Sequence, residues 1–457
     1  MQVTQLVRRF LNLYKGFKKQ FKMKNKVRVF WFRRDMRLED NVGLYHALSG
    51  VFSVVPLFIF DKNILNELQE DDARISFIFE QLQKMRSHLQ DHYGSSIATY
   101  HSTPEEAFHE LLKDFEVEAV YTNRDYEPYA HQRDSKINTL LANQGIEFHD
   151  FKDQVIFEKT EVEKNDGGMY LVFTPYMRQW KKEFENIDLK TFPSEDHLDN
   201  TYKNSMLPDV SLSDMGFVKS SIQVPDYNIT KDLLEHYEDT RNIPSIEGTS
   251  RLSPYLRFGL IGYRKLIQAA LSVKNETFLN ELIWREFYKA ILYNHPKTQN
   301  SAFKPKYDRI EWRNDENEFE KWKKGKTGYP IVDAGMRQLN ETGWMHNRLR
   351  MVVGSFLCKH LLIDWRWGEA YFAEKLLDYE MSSNVGGWQW VAGSGVDAAP
   401  YFRIFNPYSQ TDRFDKDKKY IMKWIPELNT DRYPKPMVDH KIARERCLET
   451  YKEAVKS

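Results

Sequence analysis

The sequence has few of the features that stabilise small secreted domains or anchor a chain in a membrane. Only two of its 457 residues are cysteines, Cys358 and Cys447, which excludes a disulfide framework and a cysteine-rich metal site and favours two free thiols. No run of 18 apolar residues occurs, so we predict no membrane-spanning helix. The 66 basic residues equal the 66 acidic ones, so contact with a polyanion must come from a local patch rather than from net charge.

Charge of one sign is concentrated at the amino terminus. Residues 1–26 contain eight lysines and arginines and no acidic residue. This composition is compatible with a basic leader resembling a transit peptide, and with an upstream start codon before a true start at Met23. We predict that residues 1–26 are a disordered extension of a cytoplasmic protein and that the ordered fold begins at Val27.

Apolar stretches alternate with helical periodicity between residues 27 and 150. We predict strands at 27–32, 51–60, 97–100, 119–122 and 146–150, with helices at 73–92, 104–115 and 130–143. This alternation predicts a doubly wound parallel sheet with helices on both faces. Because no Gly-x-Gly-x-x-Gly follows the first strand, we exclude an ordinary dinucleotide site and predict a flavodoxin-like layer whose carboxyl edge can hold a second ligand.

The pattern changes twice after residue 150. Residues 151–225 are rich in Asp, Lys, Ser and Pro and predict a long interdomain connection. Helical periodicity then dominates from 226 to 445, and nine of the eleven tryptophans lie at or beyond Trp284. The predicted fold class is therefore an α/β domain over 27–150 followed by an all-helical domain over 226–445, and 457 residues suit two domains.

A block from Thr327 to Pro407 interleaves Trp, Arg, Asn and Asp more densely than an apolar core requires. Buried polar groups each need a hydrogen-bond partner. The block therefore indicates a site for something large, aromatic and polar, and a flat cofactor fits that description.

ELIWREFY places four functional side chains on one helix stripe. Glu281, Trp284, Arg285 and Tyr288 fall at i, i+3, i+4 and i+7. The stripe predicts a pocket wall that offers a carboxylate, an aromatic surface and a cation. The alternative is an ion-paired face on which tryptophan covers the edge of a core.

WMHNRLRM predicts a second such stripe. Trp344, Asn347, Arg348 and Met351 are expected to lie together, with Arg350 one step around the helix. Asparagine and arginine suit hydrogen bonding to a heterocycle edge and to phosphate, and methionine adds adaptable packing.

GTSRLSPYL supplies hydroxyl groups and an arginine immediately before Pro254. Hydroxyls and backbone N–H groups near a helix start can hold a pyrophosphate. Taken alone, the same pattern is more typical of a helix cap.

Several tryptophans stand apart in sequence within the helical region. Trp312, Trp365 and Trp388 are most simply three core residues. Trp388 and Trp390, however, follow the pair Gly386–Gly387, where missing side chains let another group approach the backbone.

Taken in order, seven motifs resemble the photolyase/cryptochrome flavoprotein family, most closely the bacterial class I cyclobutane pyrimidine dimer photolyases. The motifs are FWFRRDMRLEDN, GTSRLSPYLRFG, ELIWREFY, GKTGYPIVDAGMRQL, GWMHNRLRM, GGWQW and DAAPYFRIFNP. The resemblance covers roughly residues 27–440. It implies a monomeric enzyme in which reduced FAD, excited by blue or near-UV light, donates an electron to a flipped-out dimer in UV-damaged DNA, splits it and recovers the electron.

The resemblance also implies roles for individual residues. An FAD pocket in the helical domain would be formed by Tyr237, Thr249, Ser250, Arg251, Leu252, Ser253, Glu281, Arg285, Trp344, Asn347, Arg350, Asp378, Tyr379, Glu380 and Asn384. The catalytic contacts to the dimer would come from Glu281, Trp284, Asn347, Met351 and Trp390. DNA would also be held by Arg241, Arg348 and Arg403 beside Glu281, Trp284 and Trp390. Electrons would reach the flavin through Trp312, Trp365 and Trp388, and no metal is expected.

Some positions depart from the family pattern. Many bacterial members have Gly and Asp at Tyr379 and Glu380, and Asn at Val385, beside the flavin. In the first domain Tyr129 and Ala130 replace an Asn-Glu pair of folate-binding members. An antenna chromophore is therefore expected to be a deazaflavin or a folate, or to be absent.

Three other members of the family and one outsider compete with this interpretation. A signalling cryptochrome predicts a distinctive C-terminal tail and a degraded lesion pocket. The single-strand-preferring DASH type usually has Tyr at Trp284 and Trp390, and a (6-4) photolyase would offer His near Met351. A non-photochemical flavodoxin-like nucleotide-binding protein would leave the tryptophan-rich block unexplained.

Overall fold

The computed structural model describes residues 24–456, so residues 1–23 of the predicted extension lie outside the described residues. The first domain contains five strands: β1 Asn25–Phe32, β2 Val54–Asp61, β3 Ala98–Ser102, β4 Phe115–Asn123 and β5 Glu147–Phe151. All five predicted strands are confirmed. The first begins two residues before the predicted boundary, because Asn25 and Lys26 pair with Phe115 and Glu116.

The helices complete an α/β domain followed by a helical one. They are α1 Val42–Leu48, α2 Lys62–Leu65, α3 Ala73–Tyr93, α4 Pro104–Asp114, α5 Pro128–Ala142, α6 Phe173–Phe184, α7 Lys231–Glu235, α8 Tyr237–Thr240, α9 Ser253–Arg257, α10 Tyr263–Leu271, α11 Thr277–Asn294, α12 Glu316–Lys323, α13 Pro330–Thr342, α14 Asn347–Ser355, α15 Trp365–Lys375, α16 Met381–Ala392, α17 Pro407–Phe414, α18 Lys419–Trp424 and α19 His440–Lys456. The predicted helices correspond to α3, α4 and α5. The short α1 was not predicted, although Asn41 caps it by accepting from the Leu44 N–H.

The sheet is parallel throughout, with the strand order β3-β2-β1-β4-β5. This is the order of a Rossmann-type sheet, in which the direction of strand addition reverses between β1 and β4. The flavodoxin-like expectation is wrong, because alternation of strands and helices fixes their direction but not the order in which they pair. Central β1 is covered on both faces: Phe30 and Phe32 belong to one apolar cluster, and Val29 and Trp31 to the other.

The predicted connection over 151–225 contains a helix of its own. Trp180 of α6 donates through Nε1 to Glu286 of α11 at 2.5 Å, and the Ile156 N–H donates to the same carboxylate at 2.6 Å. The polar composition of residues 151–225 gave no sign that this segment packs on α11. The packing depends on one buried acceptor, the Glu286 carboxylate, which lies far along the chain. At the other end, α19 extends to Lys456, past the predicted limit at residue 445.

The helical domain is built around α11, α13, α14, α15 and α16. Its main core joins Trp322, Tyr329, Leu349, Phe356 and Trp365, each at most 2% exposed. Both cysteines are buried free thiols. Between residues 24 and 456, no helix has the length and apolarity needed to cross a membrane.

Candidate active site

A cavity of about 380 Å³ opens between α11, α14 and α16. Its wall also includes the segment that joins α15 to α16 and one arginine from the loop after α8. The predicted residues that line it are Arg241, Glu281, Trp284, Arg285, Asn347, Arg350, Met351, Asp378, Tyr379, Glu380, Asn384, Trp388 and Trp390. The structure thus gathers into one cavity residues separated by up to 149 positions.

The stripe on α11 has the predicted geometry. Glu281, Trp284, Arg285 and Tyr288 all line the cavity, while Leu282 and Phe287 on other faces are buried in the core. Helices α11 and α16 approach closely because of a glycine: a Cβ at Gly386 would lie 2.3 Å from the Tyr288 ring. Any larger residue there would force the two cavity walls apart.

The stripe on α14 is only partly as predicted. The helix begins at Asn347, and His346 caps it by accepting from the Arg348 N–H at 3.1 Å. Trp344 therefore precedes the helix and lies outside the cavity. Arg348 turns away to donate to Asn242 at 2.6 Å and to cover the Phe414 ring at 4.3 Å.

Arg350 reaches the cavity in place of Arg348. It donates to Asp378 Oδ2 at 2.8 Å and to the Met345 carbonyl at 2.9 Å. The other carboxylate oxygen of Asp378, Oδ1, is buried and has no partner within the protein. An unpaired buried acceptor is costly, so this wall of the cavity is suited to a ligand that donates a hydrogen bond.

Asn384 is held in one orientation by α15. Its Nδ2 donates to the Glu369 carbonyl at 3.1 Å and to the Glu369 carboxylate at 2.9 Å. Both acceptors require the amide nitrogen, so Oδ1 is the group left for the cavity. Burial raises the pKa of Glu369, while the hydrogen bond from Asn384 opposes that shift.

Glu281 forms an ion pair with Arg241 at the cavity wall. Burial raises the pKa of Glu281, although the Arg241 charge opposes the shift. A buried carboxyl group with a raised pKa can accept hydrogen bonds when ionised and donate one when protonated.

Glu380 joins the cavity to the first domain. It is paired with Arg34, which follows β1, with Arg285 at 3.2 Å and with Lys289 at 2.9 Å. Burial alone would raise the pKa of Glu380, but these cations hold it well below its usual range. The Lys289 ammonium shows the opposite balance, since burial, with Arg34 nearby, lowers its pKa to about 7.

The residues predicted to hold a pyrophosphate are not among those lining this cavity. Helix α9 begins at Ser253, as the sequence indicated, and Tyr237, Ser250 and Leu252 are buried. Thr249, Arg251 and Trp344 instead line a separate pocket of about 70 Å³. Arg251 has a φ of +51°, a region that only glycine adopts freely.

Of the three predicted electron-transfer tryptophans, only Trp388 lines the cavity. Trp365 begins α15, and Trp312 lies in the loop before α12 with its ring 6.0 Å from that of Tyr451. The Trp388 ring fits only because residue 368 is glycine, since a Cβ there would lie 2.1 Å from it. The sequence reasoning missed Trp322, which is fully buried 6.2 Å from Trp388.

Arg403 lies exposed in the loop before α17. A further cation, Arg413, was missed; it covers the face of Phe414, the ring that also receives Arg348. Nothing in its local sequence distinguishes Arg413 from a solvated surface arginine. Only the fold brings it to the residues near Arg241 and Arg348.

Family models match both domains. One described as DNA photolyase matches residues 28–196, and one described as the FAD binding domain of DNA photolyase matches residues 278–431. The deoxyribodipyrimidine photo-lyase of Alkalihalophilus pseudofirmus is 36% identical over 93% of this chain and 98% of its own length. The chain belongs to the DNA photolyase family. The helical region is its FAD-binding domain, as the resemblance predicted.

Solved structures of photolyases have the same fold. A bacterial class III photolyase from Agrobacterium tumefaciens superposes with a TM-score of 0.85 at 32% identity, covering 96% of this chain and 99% of its own. An archaeal photolyase from Sulfolobus tokodaii, described with two FAD molecules, gives a TM-score of 0.78 at 32% identity, covering 94% of this chain and all of its own. Assignment of this chain to class I stays a prediction.

The cavity fits the isoalloxazine end of FAD on three grounds. It has room for a ligand group, with open space where a Cβ would stand at Gly387. It offers the unpaired Asp378 Oδ1 and the fixed Asn384 Oδ1 as acceptors. It also presents Arg285 and Arg350, which suit an anionic ligand.

Proposed function

We propose that this protein is a deoxyribodipyrimidine photo-lyase that uses blue or near-UV light to split cyclobutane pyrimidine dimers in UV-damaged DNA. One observation carries the proposal above all: a single cavity joins the polar wall of Asp378 and Asn384 to an aromatic wall of Trp284 and Trp390. The first wall suits a flavin and the second suits a pair of flipped-out bases.

The flavin side is formed by Arg285, Arg350, Asp378, Tyr379, Glu380 and Asn384, with the α9 segment assigned to the phosphates. When bound, reduced FAD supplies the electron that light drives onto the dimer and that returns after the ring has opened. Asn384 offers an acceptor, its Oδ1, which favours a flavin that carries an N–H at that position. Arg285 and Arg350 compensate the negative charge of a reduced flavin.

The lesion side holds the dimer by stacking and by hydrogen bonding. Trp284 is fixed against Phe173, with ring centroids 3.8 Å apart and planes within 8°, so it offers a rigid surface to a base. Glu281, poised by its burial and by Arg241, can hydrogen-bond the base edges and stabilise the charge that builds up on the dimer. Asn347 and Met351 complete the wall.

Extrusion of the dimer from the duplex has a modest free-energy cost, because a dimer is already poorly stacked and paired; base extrusion by photolyases is a known example of this strategy. Aromatic stacking recovers about 1–3 kcal/mol per base. Arg241, Arg348 and Arg403 contact the DNA phosphates in this proposal, and Arg413 extends the same surface. These cations supply the local patch that the balanced net charge requires.

Trp388, Trp365 and Trp312 carry electrons from the surface to the flavin cavity. The proposal predicts that Trp388→Phe abolishes reduction of bound FAD by light and an external donor. Repair by chemically reduced protein should continue. The Trp322→Phe variant serves as the control, because its ring neighbours Trp388 without belonging to the predicted chain.

The proposal includes a second, light-harvesting chromophore in the first domain, without specifying its identity. The family includes a member with two FAD molecules, and the carboxyl edge of the sheet here is polar and aromatic. Tyr129 donates to Asp61, and the Arg133 guanidinium lies 4.9 Å from the Trp31 ring. A deazaflavin, a folate and the absence of an antenna are the alternatives, and the mass of any second compound released on denaturation distinguishes them.

The direct test is repair of UV-irradiated double-stranded DNA by the purified, reduced protein. Loss of cyclobutane thymine dimers in blue light, with none in a dark control, is the expected result. Photoreduction of bound FAD without repair would favour a cryptochrome-type photoreceptor, the second candidate, which the shared family supports. The proposal extends to a monomer in the cytoplasm, which gel filtration and cell fractionation test.

A further inference from the structure

A second, smaller pocket of about 70 Å³ shares a wall with the large cavity. His346 lines the small pocket and its neighbour Asn347 lines the large one; Pro244 lines the small pocket and Arg241, three residues earlier, lines the large one. The floor is closed by the buried residues Gln338, His346 and Tyr420, while Ile246, Glu247, Lys419 and Lys423 at its rim are exposed. The pocket therefore opens to solvent beside the cavity.

The rim concentrates positive charge. Lys419 and Lys423 are four residues apart on α18, an arrangement in which like charges repel each other and destabilise a helix. Both line the pocket. The nearest acid to Lys419, Asp417, is 4.0 Å away, and both side chains are more than 70% exposed, so this pair is weak.

The interior offers hydrogen-bond donors and only one carboxylate. Glu247 is neutralised by Arg251, whose guanidinium lies over the Trp344 ring at 5.6 Å. The buried indole N–H of Trp424 has no partner within the protein, and buried donors are normally satisfied. Thr249 adds a hydroxyl group to the lining.

The floor carries no opposing charge. Burial, aided by the nearby guanidinium groups of Arg348 and Arg350, lowers the pKa of His346 to about 4, so the imidazole is neutral at physiological pH. The Tyr420 hydroxyl is already used, donating to Gln338 Oε1 at 2.7 Å. Two lysines without a close acidic partner thus stand at the rim of a pocket whose one carboxylate, Glu247, is paired with Arg251.

We propose that this pocket is an oxyanion subsite that takes a backbone phosphate of the DNA strand whose dimer occupies the large cavity. The inference rests on the proposed function and adds Lys419 and Lys423 to the DNA-binding residues. A strand carries one negative phosphate at every nucleotide, so a strand that places a dimer in the cavity passes its phosphates along the adjoining rim. The exposed lysines make the pocket accessible to that strand.

The test is the salt dependence of binding to a dimer-containing duplex, measured with FAD-loaded protein. Each neutralised phosphate contributes about 0.9 to the slope of log K against log salt. Because the pocket takes one phosphate, Lys419→Gln/Lys423→Gln should reduce the slope by about 1. The matched control, Lys416→Gln/Lys418→Gln, removes the same charge from neighbouring exposed residues that do not line the pocket, and should leave the slope nearly unchanged.

Four outcomes would overturn the inference. Equal slope changes in the two double variants would mean that the pocket acts only through general electrostatics. Loss of bound FAD from the pocket variant, with an unchanged DNA slope, would assign the phosphate to the flavin nucleotide instead. Failure of the unmodified protein to bind or repair damaged DNA would overturn the proposed function as well, whereas normal repair with an unaffected pocket variant would overturn the inference alone.

Discussion

Two polar regions of this molecule use charge in different ways. At the switch point of the sheet, after β1 and β4, the charged groups are paired with one another: Arg33 with Asp134, Arg34 with Asp125, and Arg37 with Asp153. In the helical cavity, by contrast, Asp378 keeps a buried oxygen without a partner. In the first region each of these carboxylates is paired with an arginine, whereas in the second an oxygen of Asp378 is left for a ligand to pair with.

The difference explains why a Rossmann-type sheet here lacks the usual nucleotide site. Ligands of open α/β sheets bind where the strand order reverses. In this protein Arg34 leaves that point and pairs with Glu380 in the wall of the helical cavity. The crevice at the switch point has become a joint between the two domains, and the flavin cavity lies in the helical domain.

The largest expected effect comes from breaking the joint. Arg34→Met would leave Asp125, Glu127 and Glu380 without their shared buried cation, and removal of one partner from a buried ion pair costs about 3–5 kcal/mol. We expect the free energy of unfolding in urea to fall by that amount. Lys152→Met, which breaks an exposed pair with Glu161, should change the free energy of unfolding by less than about 1 kcal/mol. Similar losses in both variants would show that the buried pairs of Arg34 stabilise the protein no more than an exposed pair does.

A somewhat smaller effect is expected on the aromatic wall of the cavity. Trp390→Ala removes one stacking surface, which is worth about 1–3 kcal/mol. The dissociation constant for dimer-containing DNA should rise about 5- to 150-fold. Affinity for undamaged DNA should stay the same, because no base is then extruded; an equal loss for both DNAs would assign Trp390 to structure.

The pH dependence of stability tests the protonation of Lys289, which pairs with Glu380 at the joint between the domains. The pKa of Lys289 is about 7 in the folded protein against an ordinary value of 10.5, so the unfolded chain binds more protons between these limits. Stability should therefore rise with pH across this interval, by up to about 1.4 kcal/mol per pH unit. Lys289→Met should remove that component; identical pH profiles for the variant and the unmodified protein would show that Lys289 stays charged.

The smallest effect concerns the orientation of Asn384. Glu369→Ala removes one acceptor of its amide nitrogen, a hydrogen bond worth about 0.5–1.5 kcal/mol. The two-electron midpoint potential of bound FAD should fall by about 10–35 mV, because Oδ1 is then less firmly presented to the reduced flavin. Glu374→Ala, on the exposed side of the same helix, is the control and should leave the potential unchanged.

The same contrast separates what the sequence could predict from what it could not. The stripe of Glu281, Trp284 and Arg285 was predictable because helical periodicity is local. The positions of Trp344 and Arg348 were not, because they depend on the helix starting only after its cap at His346. Strand order and the Arg34–Glu380 pair join residues far apart in the chain, where no periodic pattern operates.

The family resemblance supplied what periodicity could not, namely that Asp378 and Asn384 would line one site with Arg350. It gave no indication of Lys289, Arg413 or Trp322. These residues follow from how the chain packs and from which charges are buried together. Their roles can be seen only in the folded structure.

The most direct test of the central claim is the flavin content of Gly387→Phe. A Cβ at Gly387 meets nothing within 4 Å, and the residue lines the cavity, so a phenyl ring there would fill the space assigned to the flavin without disturbing the joint between the domains. We predict that the folded variant, verified by circular dichroism, is purified without FAD while the unmodified protein retains it. Equal FAD content in the two proteins would contradict the assignment of the helical cavity to the flavin.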